Sequence, residues 1–458
     1  MHVRSSTRTV SCTRRSLVAA IRPRKPDGIG SPVILARRRH RLHRGPQMKL
    51  VYIHQYFSAG DAPTGIRSLK LAGVMAERGH DVHIVTSTAA RPGPPPSSPE
   101  RLQDITVHWV PLEYSNSMAY SRRILAFVNF AVRATGVARR LKGDLVFATS
   151  TPLTVIIPAW IATLGRGTPI VFEVRDLWPE LPIAMGALRS RALRAAARWL
   201  ERFAYRKATR IVALSPGMRE GVLKVETRRP VELIPNMSYL DLFNTDSASI
   251  ADWLAANEWL GNRKMILYCG TLGRINRVSY LVDVADAMRE IDPSICFVVV
   301  GGGAEEALIR ERAANSGVLG FNFYMLGPIA KRDVPPIYGA ASLCTSLFMP
   351  LPEMEANSAN KFFDALAAGR PVAVNYGGWQ AELIKQENAG IALDPSNPRL
   401  AAEALHTLVS DGPELQRMGQ NAHALARSNF SLDVLGPRFA EVLEGALEEG
   451  VPRGHGGK

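Results

Sequence analysis

Cysteine is scarce in this chain. Of 458 residues only Cys12, Cys269, Cys296 and Cys344 are cysteines, and no two stand in a C-x-x-C pair. That scatter excludes a disulfide framework and argues against a zinc ribbon, and it suits a reducing compartment. A second absence is the dinucleotide fingerprint G-x-G-x-x-G, which counts against an NAD enzyme. No DxD-like acidic pair closes a strand, so no metal-diphosphate clamp is evident and no metal or cofactor is expected. No secretory signal is evident either, because the amino-terminal region has no clean apolar core.

Acidic residues are nearly missing from the first 47 positions. Twelve Lys/Arg stand there against the single acid Asp27, so eleven of the fifteen net positive charges belong to this leader. Residues 48–458 keep only four, which removes the case for a nucleic-acid partner in the folded part. The leader holds several Pro and Gly without apolar periodicity and is expected to be disordered. It fits a transit peptide, a basic arm or an upstream extension with no role in the fold. The last is favoured, since MKLVYIHQYF at Met48 looks like a first strand with its own initiator. The apolar run Leu145–Leu164 is long enough to span a membrane, but Pro152 and Pro158 divide it. A buried strand followed by a packed helix explains it better.

From Met48 short apolar runs alternate with helical stretches. Strands are expected at 50–54, 82–86, 105–110, 145–148, 170–174 and 211–214, with helices near 66–78, 119–141, 152–164, 188–207 and 216–223. After an irregular bridge the alternation resumes with MILYCG, ICFVVVGGG, FNFYMLG, ASLCTSLF, RPVAVN and AGIALD. This pattern predicts an α/β chain of two Rossmann-like, doubly wound domains facing a central cleft. The boundaries expected are a leader at 1–47, a first domain at 48–234, a linker at 235–262, a second domain at 263–430 and a returning helix with tail at 431–458.

Chemistry concentrates at the expected carboxyl ends of strands. Gly65 precedes a helix, where its amide can approach an anion. In the second domain the strand ends in Gly270-Thr271-Leu272-Gly273-Arg274, with Arg277 close behind; two glycines and a guanidinium suit a diphosphate. The stretch ANSANKFFDALAAGRPVAVN places Asn360, Lys361 and Asp364 on one side of a helix and Phe362, Phe363 and Leu366 on the other. Asn357 or Ser358 is expected to cap it. Lys361 suits phosphate, and Asp364 can accept two bonds from a ribose diol. A solvated i,i+3 ion pair is the bland alternative. In the first domain FEVRDLWPE puts Glu173, Arg175 and Asp176 at a buried strand end, where charges are paired or functional.

Carried by these motifs, the chain resembles the retaining glycosyltransferases of family 4, with the GT-B architecture. It looks closest to bacterial surface-polysaccharide or O-antigen sugar transferases. The resemblance covers Met48 to the final helix. It implies a hexosyltransferase-type enzyme that moves a sugar, possibly N-acetylated, from a nucleotide-sugar donor, UDP foremost. By the same resemblance Gly65, Arg274 and Lys361 bind the donor diphosphate and Asp364 its ribose. Gly327, Pro328 and Ile329 match the base-reading loop, and Arg175 with Asp176 stand near the reacting sugar as catalytic candidates. The first Glu of the family's E-x7-E motif falls on Ala356, leaving Ala359 and Asn360 at the helix start as sugar contacts.

The acceptor implied is a lipid-linked glycan. Residues 119–141 interleave Arg122, Arg123, Arg133, Arg139 and Arg140 with apolar side chains, and 189–210 set Arg189, Arg191, Arg194, Arg198, Arg202, Arg206 and Lys207 around Trp199 and Phe203. Such helices suit an anionic membrane surface and a peripheral, cytoplasmic enzyme at the inner face. Covering the sheet is their simpler role. A nucleotide-sugar epimerase of similar fold and a non-catalytic sugar-nucleotide-binding protein remain as alternatives.

Overall fold

The computed structural model describes residues 47–58, 66–90, 98–114, 118, 120–186 and 188–450. Residues 1–46 of the leader and Gly65 lie outside the described residues. The first sheet has eight strands in the order β3-β4-β2-β1-β5-β6-β7-β8. They are β1 (Lys49–Ile53), β2 (Asp81–Ser87), β3 (Glu100–Leu102), β4 (Ile105–Val110), β5 (Leu145–Thr149), β6 (Ile170–Val174), β7 (Arg210–Ala213) and β8 (Val231–Leu233). All neighbours run parallel except the short edge strand β3. Apolar runs such as IVFEV are buried along their whole length, as strands covered on both faces must be.

Residue alternation assigns the two faces. Val51, Ile53, Val146 and Phe172 pack with Phe130 and Ala134 of α2 (Tyr120–Leu141), Ile156 and Ala159 of α3 (Ile156–Thr163), and Ala204 and Tyr205 of α4 (Arg191–Lys207). Leu50, Tyr52, Ile84 and Phe147 face the other way, onto Leu71 and Met75 of α1 (Ile66–Glu77). Leu435, Phe439 and Leu443 share that cluster, so the final helix (Leu432–Gly450) returns to the first sheet. The Phe147 and Phe439 rings meet edge to face, 5.0 Å apart. The apolar run that was long enough for a membrane is β5, a turn and α3. No helix of the described residues is long and apolar enough to cross a membrane.

The second sheet has the order β11-β10-β9-β12-β13-β14, all parallel. Its strands are β9 (Met265–Cys269), β10 (Cys296–Val300), β11 (Phe323–Leu326), β12 (Leu343–Ser346), β13 (Val372–Val374) and β14 (Gly390–Ala392). The central pair closes tightly at its carboxyl end. Gly301 has φ +139°, and a Cβ there would stand 2.0 Å from the Gly270 carbonyl oxygen. Only glycine lets the two strand ends approach so closely.

A buried ion pair locks the carboxyl end of the first sheet. Arg67 of α1 donates to Glu173 of β6 at 2.7 Å, with both side chains almost fully enclosed. The same guanidinium donates to the carbonyls of Ile234 and Pro235, where the chain leaves this sheet. Thr149 donates to the other Glu173 oxygen at 2.6 Å. Burial alone would raise the Glu173 carboxyl, but Arg67 and Arg175 outweigh it and hold the group below the usual range. Glu173 is therefore structural, and the ion pair in this motif falls to Arg67, not to Arg175. Removing one partner should leave a buried uncompensated charge. Glu173→Gln is expected to cost about 3–5 kcal/mol in urea unfolding, and an Arg67→Met/Glu173→Leu double variant to regain most of it. A loss under about 1 kcal/mol in the single variant would contradict this account.

Candidate active site

Two chambers open at the carboxyl ends of the two sheets, as expected of doubly wound folds. The second sheet supplies a cavity of about 530 Å³. Its floor is Gly270 and Thr271 after β9 and Gly301 and Gly302 after β10; Pro328 and Ile329 form one wall. The opposite wall is the start of α5 (Asn360–Ala367), which contributes Ala359, Asn360, Lys361 and Asp364. Phe362, Phe363 and Leu366 are buried on the other side of that helix.

Lys361 is the most perturbed cation of this chamber. Its ammonium donates to Asn276 Oδ1 at 2.7 Å and lies 4.4 Å and 5.2 Å from the ring centroids of Phe348 and Tyr268. Among the described residues no carboxylate pairs with it, and burial pulls its pKa down to about 7. Asp364 is 5% exposed and is bound by Lys331, whose ammonium also lies 5.1 Å from the Phe243 ring centroid. Burial raises the Asp364 carboxyl, and Lys331 opposes that shift. The chamber is thus lined by two lysines, one engaged by an acid and one held by a neutral amide.

Three of the expected residues do not line this cavity. Arg274 is exposed at the start of the turn Arg274–Asn276 and is not among the lining residues; Asn276, from the same turn, reaches in. Lys361 and Asp364 share the hollow, and Arg274 does not join them. Arg277 turns away and donates to the Pro395 carbonyl. Gly327 braces the loop through its carbonyl, which accepts from Gly301 N at 2.9 Å, while Pro328 and Ile329 line the cavity.

The helix cap differs as well. Ala359 is the cap residue, and no side chain caps α5. Ser358 is occupied by Asn236, which donates from its side-chain nitrogen to the Ser358 carbonyl at 2.6 Å. The Asn357 carbonyl accepts from Trp379 Nε1 at 2.7 Å. Phe362 N donates to the Ala359 carbonyl at 3.1 Å, so the first turn presents the Asn360 and Lys361 N–H groups and the positive dipole end without a side-chain cap.

The first sheet supplies the other chamber, of about 630 Å³. His54 after β1, Thr151 after β5 and Arg175 with Asp176 after β6 converge there, walled by Tyr56, Tyr114, Phe127 and Trp178. Thr151 donates to Asp176 Oδ2 at 3.2 Å. Burial pushes the Asp176 carboxyl up, against Arg175 and Thr151. His54 is held well below its ordinary value by burial and by Arg175, so the ring is neutral. With Arg175 Nη1 donating to Nε2 at 3.4 Å, Nδ1 carries the proton and faces Ser68 Oγ at 2.9 Å. Ala359 and Asn360 line both chambers, so the two meet at the amino end of α5.

Ala356, where the resemblance expects an acid, packs on the first core, and its carbonyl accepts from Ser215 Oγ. A Cβ on Gly217 would stand only 2.8 Å from the Ala356 Cβ. His54, Lys331 and Asn276 escaped sequence reasoning. His54 closes the first strand and Lys331 follows Ile329 by two residues, so position alone could have flagged both.

Two family models cover most of the chain. Residues 64–237 match the Glycosyl transferase 4-like domain, and residues 263–411 match Glycosyl transferases group 1. The chain belongs to the GT-B glycosyltransferases. Among curated relatives it is similar to the probable glycosyltransferase WbjE of Pseudomonas aeruginosa, at 22% identity over 88% of this chain and 99% of that one. Alpha-D-kanosaminyltransferase of Streptomyces kanamyceticus is 25% identical over 54% of this chain and 63% of its own. The fold matches sucrose-phosphate synthase from Thermosynechococcus elongatus with a TM-score of 0.72, at 16% identity over 88% and 100% of the two chains. Anabaena HepE in complex with UDP and glucose matches with a TM-score of 0.65, at 18% identity over 87% and 100%. Both matched models describe glycosyl transferases, which disfavours the epimerase and the non-catalytic binding readings.

An anion beside Lys361 in this transferase must favour its charged form. Binding of a diphosphate probe such as UDP at pH 8.5 should therefore take up about one proton, and its affinity should fall as pH rises from about 7 toward the ordinary lysine value. Calorimetric titration in buffers of different ionisation enthalpy measures this uptake. Lys361→Met should abolish it; equal heats in all buffers for the parent protein would refute the assignment.

Proposed function

We propose that this glycosyltransferase moves a sugar from a UDP-linked donor to a polyprenyl-linked glycan with retention of anomeric configuration, working at the inner face of the membrane. The observation that carries the reading is the meeting of the two chambers at the uncapped start of α5. Lys361 and Asp364 lie on one side of that point, and Arg175 and Asp176 on the other. The diphosphate sits against Lys361 and the first-turn amides of α5, where negative charge develops as the donor breaks. Asp364, steadied by Lys331, receives the ribose hydroxyls, and the backbone at Pro328 and Ile329 meets the base. Anabaena HepE, described with UDP-glucose at a TM-score of 0.65, supports a uridine donor for a chain of this fold.

In the reaction the bond from the sugar's anomeric carbon to the β-phosphate oxygen breaks as the bond to the acceptor oxygen forms. The acceptor's hydroxyl proton passes to the departing phosphate, so no protein base is obligatory. Asp176 orients the acceptor hydroxyl from the first chamber. The positive charge comes from Lys361 and the helix dipole, and the reading carries no metal.

The acceptor's membrane tie rests on the outer face of the first domain. Leu125 and Val132 on α2 are each 67% exposed and Trp199 on α4 is 64% exposed, all among arginines. An apolar stripe edged by cations suits the interface of an anionic bilayer.

Two outcomes are expected. Asp176→Asn should leave the UDP-induced thermal shift intact and lower transfer to an isolated lipid-linked glycan fraction about tenfold or more; unchanged turnover would remove Asp176 from the mechanism. The protein should float with phosphatidylglycerol vesicles at low salt, and Leu125→Gln/Val132→Gln should release it. Sedimentation of the parent protein away from the vesicles would overturn the membrane reading.

A further inference from the structure

The amino end of the second sheet carries a cavity of about 650 Å³, apart from both chambers of the active site. Lys264 precedes β9, Ser342 precedes β12, and Arg370 with Pro371 precedes β13. The hollow therefore lies at the opposite ends of the strands from the donor chamber. Its outer wall is α6 (Gly412–Leu425) and the turn Ala426–Phe430 that continues it. Gln416, Gln420, His423 and Arg427 stand at i, i+4, i+7 and i+11, one stripe along that wall. Gly419 seats the wall, since a Cβ there would stand 2.5 Å from the Gly369 carbonyl oxygen, just before Arg370.

The lining is cationic. Lys264, Arg370 and Arg427 share one hollow with His423, and among the described residues no Asp or Glu lines it. The acids at the start of α6 are committed elsewhere. Asp411 accepts from the Glu414 amide at 3.0 Å, and Glu414 pairs with Arg417 and accepts from Asn388 at 3.1 Å. Arg370 is the inner cation. One of its terminal nitrogens donates to the Gly339 carbonyl, but among the described residues its Nε is enclosed without a hydrogen-bond partner. Burial works against the Arg370 charge, and no carboxylate compensates it. Like charges gathered without an acid repel one another, and an enclosed donor without an acceptor is costly. An anion entering the hollow relieves both.

We propose that this hollow is a second ligand site, built for a small phosphorylated metabolite with more than one negative charge. The guanidinium forks of Arg370 and Arg427 match phosphate oxygens, and Lys264 adds a point charge. The Gln416 and Gln420 amides can both donate and accept, so they meet the hydroxyl or carbonyl groups of the remaining molecule. The ligand is distinct from the sugar donor, whose diphosphate and ribose contacts at Lys361 and Asp364 lie in the other cavity.

The test titrates inorganic pyrophosphate into the full chain by calorimetry, with the donor chamber saturated by UDP. One further site per chain is expected. Lys264 and Arg427 are exposed, so Lys264→Gln/Arg427→Gln should keep the parent's melting temperature and UDP affinity. It should bind pyrophosphate about tenfold or more weakly than the parent. No further site in the parent, or an unchanged affinity in the double variant, would overturn the proposal. Citrate bound as tightly as pyrophosphate would overturn the phosphate class. Pyrophosphate heat that disappears in Lys361→Met but persists in the double variant would place the anion in the donor chamber and overturn the second site. Reduced flotation of the double variant with phosphatidylglycerol vesicles would assign these cations to lipid headgroups and overturn it as well. A parent protein that takes up pyrophosphate, loses it in the double variant and does not bind UDP would leave this site standing and fail the donor reading.

Discussion

Asn236 donates to the carbonyl of Ser358, and through that bond the first sheet holds the start of a helix that belongs to the second. The bond is anchored from behind. Arg67 grips the carbonyls of Ile234 and Pro235 just before Asn236, and it is held in turn by Glu173. Four buried polar groups on widely separated segments therefore fix one point in space. Because enclosed polar groups are expensive to leave unpaired, the arrangement resists drift more firmly than apolar contact alone would. What it fixes is the amino end of α5, where the two chambers meet. A small displacement there would separate reacting atoms and forfeit most of the advantage of orientation.

In the proposed reading, the charge around that point responds to the ligand. Lys331 is committed to Asp364, whereas Lys361 rests against a neutral amide and two aromatic rings. A permanent carboxylate beside Lys361 would keep it charged but would also repel a diphosphate. Its absence leaves an ammonium with its pKa near 7, able to gain full charge as the anion arrives. The uncapped helix start follows the same logic, since a side-chain oxygen bonded to those amides would compete with the phosphate.

Much of this was legible from the residues. Six strands of each half announce themselves as apolar runs, even β13 and β14 with three residues each, whereas the edge strands β3 (ERL) and β8 (VEL) carry charged residues and show no run. Lys361 and Asp364 were legible because helical spacing alone puts i and i+3 on one side. Asn276 was not, because its link to Lys361 spans 85 residues and depends on how a tight turn is rolled. The same roll sends Arg274 outward, which no local rule foretells. Ser358 has the right chemistry for a cap, yet Asn236, 122 residues away in sequence, takes it for another purpose. Local preference gave way to a tertiary bond in each case.

Ala356 shows how such a constraint shapes specificity. At this position the chain passes so close to Gly217 and Ser215 that the side chain is part of the seam between the two halves. A glutamate would have to displace this packing before reaching any sugar. In the proposed reaction the transferred sugar is held from the other direction, by the backbone amides at the start of α5. The exchange changes the chemistry of recognition. A carboxylate accepts hydrogen bonds from sugar hydroxyls, whereas backbone amides only donate them. In the proposed reaction the sugar subsite therefore favours groups that accept, such as an amide carbonyl on the ring, over a bare pair of hydroxyls.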